Sequence, residues 1–228
     1  MTTLPLLRVP EFIIHDGLQK ALQFLRQDFL SVGSLTQNSF LFKLISSINL
    51  QKYNFLKESI AVFITDIGNP RHLEIDLMYN SQVNRVPSIH ITTPADSPHQ
   101  NGIGMDEGYQ EELLNNTITP TSYQSVFTRR YTGVYDIVIT SDNNNEVILI
   151  YHVVRALLTS LYFHFQAKGL ENISISGQDL TPYQELIPKG SFQRAIRLKL
   201  EYESSTLSFE TMNIPVSFEF DGTPVNEL

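Results

Sequence analysis

Cysteine and tryptophan are both missing from this 228-residue chain. Without cysteine, no disulfide framework and no thiolate metal site can form, and the redox compartment is left open. Basic residues are scarce: 16 lysines and arginines stand against 24 acids, giving a net charge of −8 and a pI near 5.2. That balance is a poor one for gripping a phosphate backbone, which calls for basic patches. Charge of either sign is thin at 18%, against an ordinary fraction of about a quarter. Asparagine, glutamine, serine and threonine take the polar positions. Two readings stay open here. Amides and hydroxyls cost less to desolvate than charges, which suits surface covered by neighbours; or the chain has a bias in amino-acid usage. The most apolar stretch, Val147 to Phe165, is interrupted by His152, Arg155 and His164, so it reads as a buried helix and not a membrane span. Met1 to Arg8 lack a basic start followed by a long apolar run, so no signal peptide is expected.

What is present is a pattern of helices and strands. Ile14, Leu18, Leu22, Leu25 and Phe29 recur at helical spacing between Phe12 and Val32, with Gly17 weakening the start and Gly33 ending it. Phe40 to Ile48 is a short apolar run, helical or irregular. Tyr53 to Ile64 reads as a helix, closed by Gly68-Asn69-Pro70. Leu73 to Tyr79 and Pro87 to Thr92 alternate as strands. Residues 124–140 read as a strand or a bent pair. Behind the capping segment Ser141 to Glu146, one long helix is expected over 144–168, with His152, Arg155, Thr159 and Gln166 as its polar stripe. Ile173 and Ile175 mark a short strand, and 177–189 reads as a loop in which Gly177 supplies a permissive backbone and Asp179 caps local amides. From 192 to 203, Ile196, Leu198, Leu200 and Tyr202 alternate with Arg197, Lys199, Glu201 and Glu203. Leu207–Phe209 and Ile214–Phe220 would be further β segments, with Pro215 at an edge.

The fold class is therefore α+β: a mixed, mainly antiparallel sheet packed on a long helix and N-terminal helices. A single domain over 1–228 is expected, with an extended arm at about 93–122 and a possible C-terminal β extension at about 206–228. The arm, rich in proline, glycine and asparagine, is an arm or hairpin with a task, or a mobile tip with none.

Catalytic chemistry finds little support. No His-x-x-x-His spacing occurs among the six histidines, and His90, Asp96 and His99 are the one His/Asp grouping, spread across Pro94 and Pro98. Ser174 to Asp179 lacks the first glycine of a nucleophile elbow. Gly102 to Gly108 resembles a nucleotide fingerprint only superficially. Asp106, Glu107, Glu111 and Glu112 lack the ligand spacing of a calcium loop. No catalytic residue, cofactor or metal is expected. Arg129-Arg130 beside Tyr131 reads as a solvated strand edge. Arg155 either pairs with a neighbouring subunit's carboxylate or emerges at the helix's exposed stripe.

The order of segments carries a resemblance. Pro87-Ser-Ile-His-Ile-Thr-Thr-Pro94 leads to Asn101-Gly-Ile-Gly-Met-Asp-Glu-Gly108. Tyr135-Asp-Ile-Val-Ile-Thr140 and the helix with Val147 to Leu157 follow. Then come Gly169 to Leu180, Leu186-Ile-Pro188 and Phe192 to Leu198. Over residues 10–205 this resembles the neck and tail-completion proteins of tailed bacteriophages, in particular the tail terminator. The resemblance implies a small sheet flanked by helices, assembled as a homohexameric ring on the end of the tail tube. Such a ring stops tube polymerisation, docks to the neck or connector and, in contractile tails, engages the sheath. It implies a virion component assembled in the host cytoplasm, with no membrane partner, no active site and DNA only passing through the lumen. An acidic lumen would repel that DNA. Asp96, His99, Asn101, Met105 and Tyr109 in the arm become candidate contacts. So do Arg129, Arg130 and Arg155, and Asp179 and Tyr183 in a second contact loop at 177–190. The chain is longer than the smallest such proteins, and 206–228 is not clearly part of the pattern. Other readings are a different neck (head-completion) or sheath-contacting ring, a small His/Asp-dependent hydrolase, or an adaptor binding a peptide along the Pro215 edge.

Overall fold

A computed structural model describes residues 7–46, 48, 53–65, 69, 71–77, 86–98, 109–110, 126–180 and 191–207. His99, Asn101, Met105, Tyr183 and the β segments expected after Leu207 lie outside these. The chain divides into two compact units: Val9–Pro98 with Tyr131–Tyr202, and Met1–Arg8 with His99–Arg130 and Glu203–Leu228.

Helix α1 (Pro10–Ser31) begins two residues before the expected start at Phe12, because Pro10 is preorganised for the first helical turn. Ile14, Leu18 and Leu25 are fully buried and Leu22 nearly so, as their spacing predicts. Each contributes roughly 1.5–3 kcal/mol of apolar burial. The Asp28 carboxylate accepts the Phe40 backbone N–H at 2.6 Å. With the Ser39 side chain accepting from Phe42 N–H, it satisfies the first donors of α2 (Phe40–Ile45). Helix α3 (Phe55–Ser59) widens into a π-helix over Ile60–Ile64, where the sequence reads as a uniform helix. The carbonyls near that end find other donors: Arg26 Nε donates to Phe63 O at 2.8 Å and Leu73 N to Val62 O at 3.3 Å.

The sheet has strands β1 (Glu74–Leu77), β2 (Ser88–Pro98), β3 (Tyr109–Gln110), β4 (Val126–Ser141), β5 (Leu170–Asp179) and β6 (Phe192–Leu207). Their order is β1-β2-β4-β6-β5, with β3 also on β4. β1 is parallel to β2; β2–β4, β3–β4 and β5–β6 are antiparallel. The class is α+β, as the alternation implies. Ile89, Ile91, Ile137, Ile139, Ile196, Leu198 and Leu200 join the helices in one core.

Three expectations are corrected. The helix expected over 144–168 is two: α4 (Asn144–Ser160) and α5 (Tyr162–Ala167). Thr159 and Ser160 both donate to carbonyls four residues back, Arg155 O and Ala156 O, a competition that bends helices. Residues 93–98 are not arm but the outer half of β2. Pro94 falls in the register shift between Thr92 and Ala95, and Pro98 closes the strand, the places where a strand tolerates proline. Gly177 is not a turn residue: β5 runs through it to Asp179. Positive φ falls instead on Gly169 (81°), where α5 hands over to β5, and on Gly33 (54°) and Asn172 (47°).

At the start of α4 the expected cap is present and extended. Asn143 accepts from Asn145 N–H, and Ser141 donates to the Glu146 carboxylate, which is 2% exposed. Arg71 binds the same carboxylate and also Glu58 at 2.6 Å. Burial opposes its charge, yet the bonds to Glu146 and Glu58 hold the guanidinium pKa above its ordinary value. This ties α3 to α4.

Candidate interaction surface

Two side-chain clusters in the unit formed by Val9–Pro98 and Tyr131–Tyr202 contain the candidate residues that the structure describes best. The first gathers around Asp96. Its carboxylate accepts from the Tyr202 hydroxyl at 2.7 Å. The Tyr202 ring stacks on Tyr131, with centroids 5.5 Å apart and 20° between planes. Tyr135 is fully buried behind them, its ring lying across Gly133, two residues back on the same strand. Burial pushes both the Tyr135 and Tyr202 phenols above their ordinary range, and nearby carboxylates (Asp96 and Glu11) add to it. Glu11, in the first turn of α1, accepts from Thr93 Oγ1 at 2.6 Å, a position that the helix dipole favours for an anion. With its phenols held protonated and buried, this cluster is an internal set of stacked rings with one hydrogen bond to Asp96.

The second cluster joins Asp179 to the polar stripe of α4. Asp179 pairs with Arg194 at 3.6 Å. The Arg194 guanidinium stands over the Tyr151 ring, 5.6 Å from its centroid, within cation–π range. The Tyr151 phenol occupies the space where a side chain on residue 177 would be. Gly177 is therefore glycine for room, not for backbone freedom. His152 meets Tyr151 edge-on at 5.2 Å. Its pKa is lowered from 6.5, first by burial, then by the charges of Arg194 and Arg155. The folded chain thus binds a proton at His152 less readily than the unfolded chain does, so stability falls as pH drops below about 6.5. His152→Gln is expected to reduce the loss of stability between pH 7 and 5 in urea titrations; an unchanged pH profile would remove His152 from the account.

Arg155 itself is exposed on α4, at the stripe the periodicity marks. Arg129 and Arg130 are half-buried in β4, just beyond Tyr131, where the β2 register ends. For Tyr109 the structure gives its backbone register, opposite Phe127. His90 is buried with its Nε2 3.1 Å from Ser88 Oγ, while Asp96 is committed to Tyr202. Among the described residues no group of three histidine, aspartate or glutamate side chains could hold a metal ion, and no helix is long and apolar enough to cross a membrane. Tyr202, Tyr135, Tyr151 and Arg194 were not among the candidate contacts. Alternation marks Tyr202 and helical periodicity marks Tyr151 as inward-facing, but nothing local marks which carboxylate or cation each ring meets.

No family model matches the chain, and no curated protein matches it in sequence.

Proposed function

We propose that this chain is a structural ring subunit at the head–tail junction of a tailed bacteriophage, acting like a tail terminator: copies close a ring on the tail tube, stop its growth and offer a face to the neck. The observation that carries the reading is strand length. β4 and β6 each run 16 residues and β2 runs 11, where ordinary strands have about five or six. From Thr93 to Pro98, β2 is exposed along its whole outer half. Paired strand that runs beyond the need of one core supports a role as contact surface. The helices add to it: Phe12, Phe24 and Leu30 on α1 and Phe163 on α5 are more than half exposed, an arrangement that suits burial against neighbours. The partners in this reading are further copies of the chain, the tube protein, the connector and, in a contractile tail, the sheath.

The test is reconstitution. The chain is mixed with polymerising tail-tube protein of the same phage, and tube ends are imaged by negative-stain electron microscopy. Tubes capped by a ring and arrested in length are expected. Tubes of unchanged length with bare ends, and a chain that sediments alone in their presence, would count against the reading. If tubes stay bare but the chain rings with the connector or sheath protein, its level in the particle is the neck or sheath instead.

A further inference from the structure

A ring of identical copies joined head to tail needs two different patches on each subunit, one meeting the other on the next copy. The two ends of the strand order, β1 and β5, carry exposed charge of opposite sign. On β1, Asp76 is exposed, on the strand face that it shares with Glu74. At the other end, α4 lies against β5, where the Tyr151 phenol fills the space beside Gly177. There α4 presents His152 and Arg155, both exposed and neighbours on one helix face. Arg194 of β6 stands over the Tyr151 ring, which His152 meets edge-on. Burial first, and then the charges of Arg194 and Arg155, lower the His152 pKa, so this surface has a positive field of its own. Asp179 on β5 offsets part of it by pairing with Arg194. Among the described residues, neither Arg155 nor Asp76 makes an ion pair.

We propose that the α4 face around Arg155 docks a second copy of this chain, with Arg155 of one copy pairing with Asp76 on β1 of the next. The occupant follows from charge complementarity. The basic face needs a carboxylate, and the same chain carries an exposed one at the opposite end of its sheet, where a head-to-tail ring brings it round. Such pairs fix the register of an interface and suppress wrong partners. A two-fold dimer through α4 alone does not supply the pair, because it sets Arg155 against its own kind. This inference rests on the reading of the chain as a ring subunit and names the surface through which copies join.

The experiment is a charge swap, read as the share of tail-tube ends capped by a ring as chain concentration rises. Arg155→Glu and Asp76→Arg each alter an exposed side chain, so both variants should melt at the temperature of the unaltered chain. Each alone sets like charges together and is expected to raise the half-capping concentration by about tenfold or more. The chain carrying both changes should return to within about threefold of the original. An equal mixture of the two single variants should also cap, because a ring of alternating copies, even in number, holds only opposed pairs. Single variants that cap like the original overturn the pairing, and so does a double variant no better than the weaker single. Rescue in the double variant but not in the mixture places the pair within one copy and overturns it. A loss with Arg155→Glu but not with Asp76→Arg gives Arg155 to an acid on another protein and overturns it too. Bare tubes with the unaltered chain would mean that the ring reading has failed and this inference with it. Capped tubes that ignore the swap remove this inference alone.

Discussion

Phe165→Ala is expected to lower the unfolding free energy by about 3–5 kcal/mol, the cost of emptying a buried aromatic site. Phe165 is 1% exposed and meets α1 where that helix has no side chain. A Cβ on Gly17 would lie 2.8 Å from Phe165 Cε1 and 3.6 Å from Leu161 Cδ1. Gly17 is thus an opening in α1 that the ring fills, and two opposed effects can be separated there. Alanine in mid-helix gains about 1 kcal/mol over glycine in propensity, while overpacking a rigid ring costs about 1–3 kcal/mol. Gly17→Ala alone should be neutral to destabilising by about 2 kcal/mol. In a Phe165→Leu background, where the ring is gone, the same change should stabilise by a few tenths to about 1 kcal/mol. Urea titrations of the four proteins give the cycle. Additive effects would mean that Phe165 does not set the requirement for glycine.

Glu146→Ala comes second in size. Removing one partner of a buried pair costs about 3–5 kcal/mol when the other is left unsatisfied. Here Arg71 is 40% exposed and keeps Glu58, so about 2–3 kcal/mol is expected. The loss comes from the Ser141 hydroxyl, which donates to Glu146, and from the first turn of α4. Arg71→Met combined with Glu146→Leu should cost clearly less than the sum of the single changes, because neither charge is then stranded. A simple sum at neutral pH would show that the two side chains act independently.

Of the residues that the resemblance implies as contacts, His99, Asn101, Met105 and Tyr183 lie outside the described residues. For Asp96 and Asp179 the sequence marked the residue but not its use. A carboxylate in a proline-rich stretch reads as solvated loop. Asp96 is instead held on a strand by Tyr202, 106 residues away, and Asp179 by Arg194 across the β5–β6 ladder. Arg155 was legible because helical periodicity alone decides which side of a helix is wet. For Arg129 and Arg130 the outcome depends on which strands pair beside them, and the β2 register ends at Tyr131.

The amino-acid order by itself determined the class of the fold and the inward face of its main elements. Ile196 to Tyr202 alternate and Ile14 to Leu25 recur because side chains repeat every two residues on a strand and every 3.6 on a helix, a local geometry needing no partner. Only the tertiary structure decided where the long helix breaks, how far β2 runs past Pro94, and why residue 177 has no side chain. Each of these depends on a group distant in sequence or on competition for a backbone carbonyl: the β4 ladder, the Tyr151 phenol, the hydroxyls of Thr159 and Ser160. Such terms are balanced by packing, which a one-dimensional pattern does not encode.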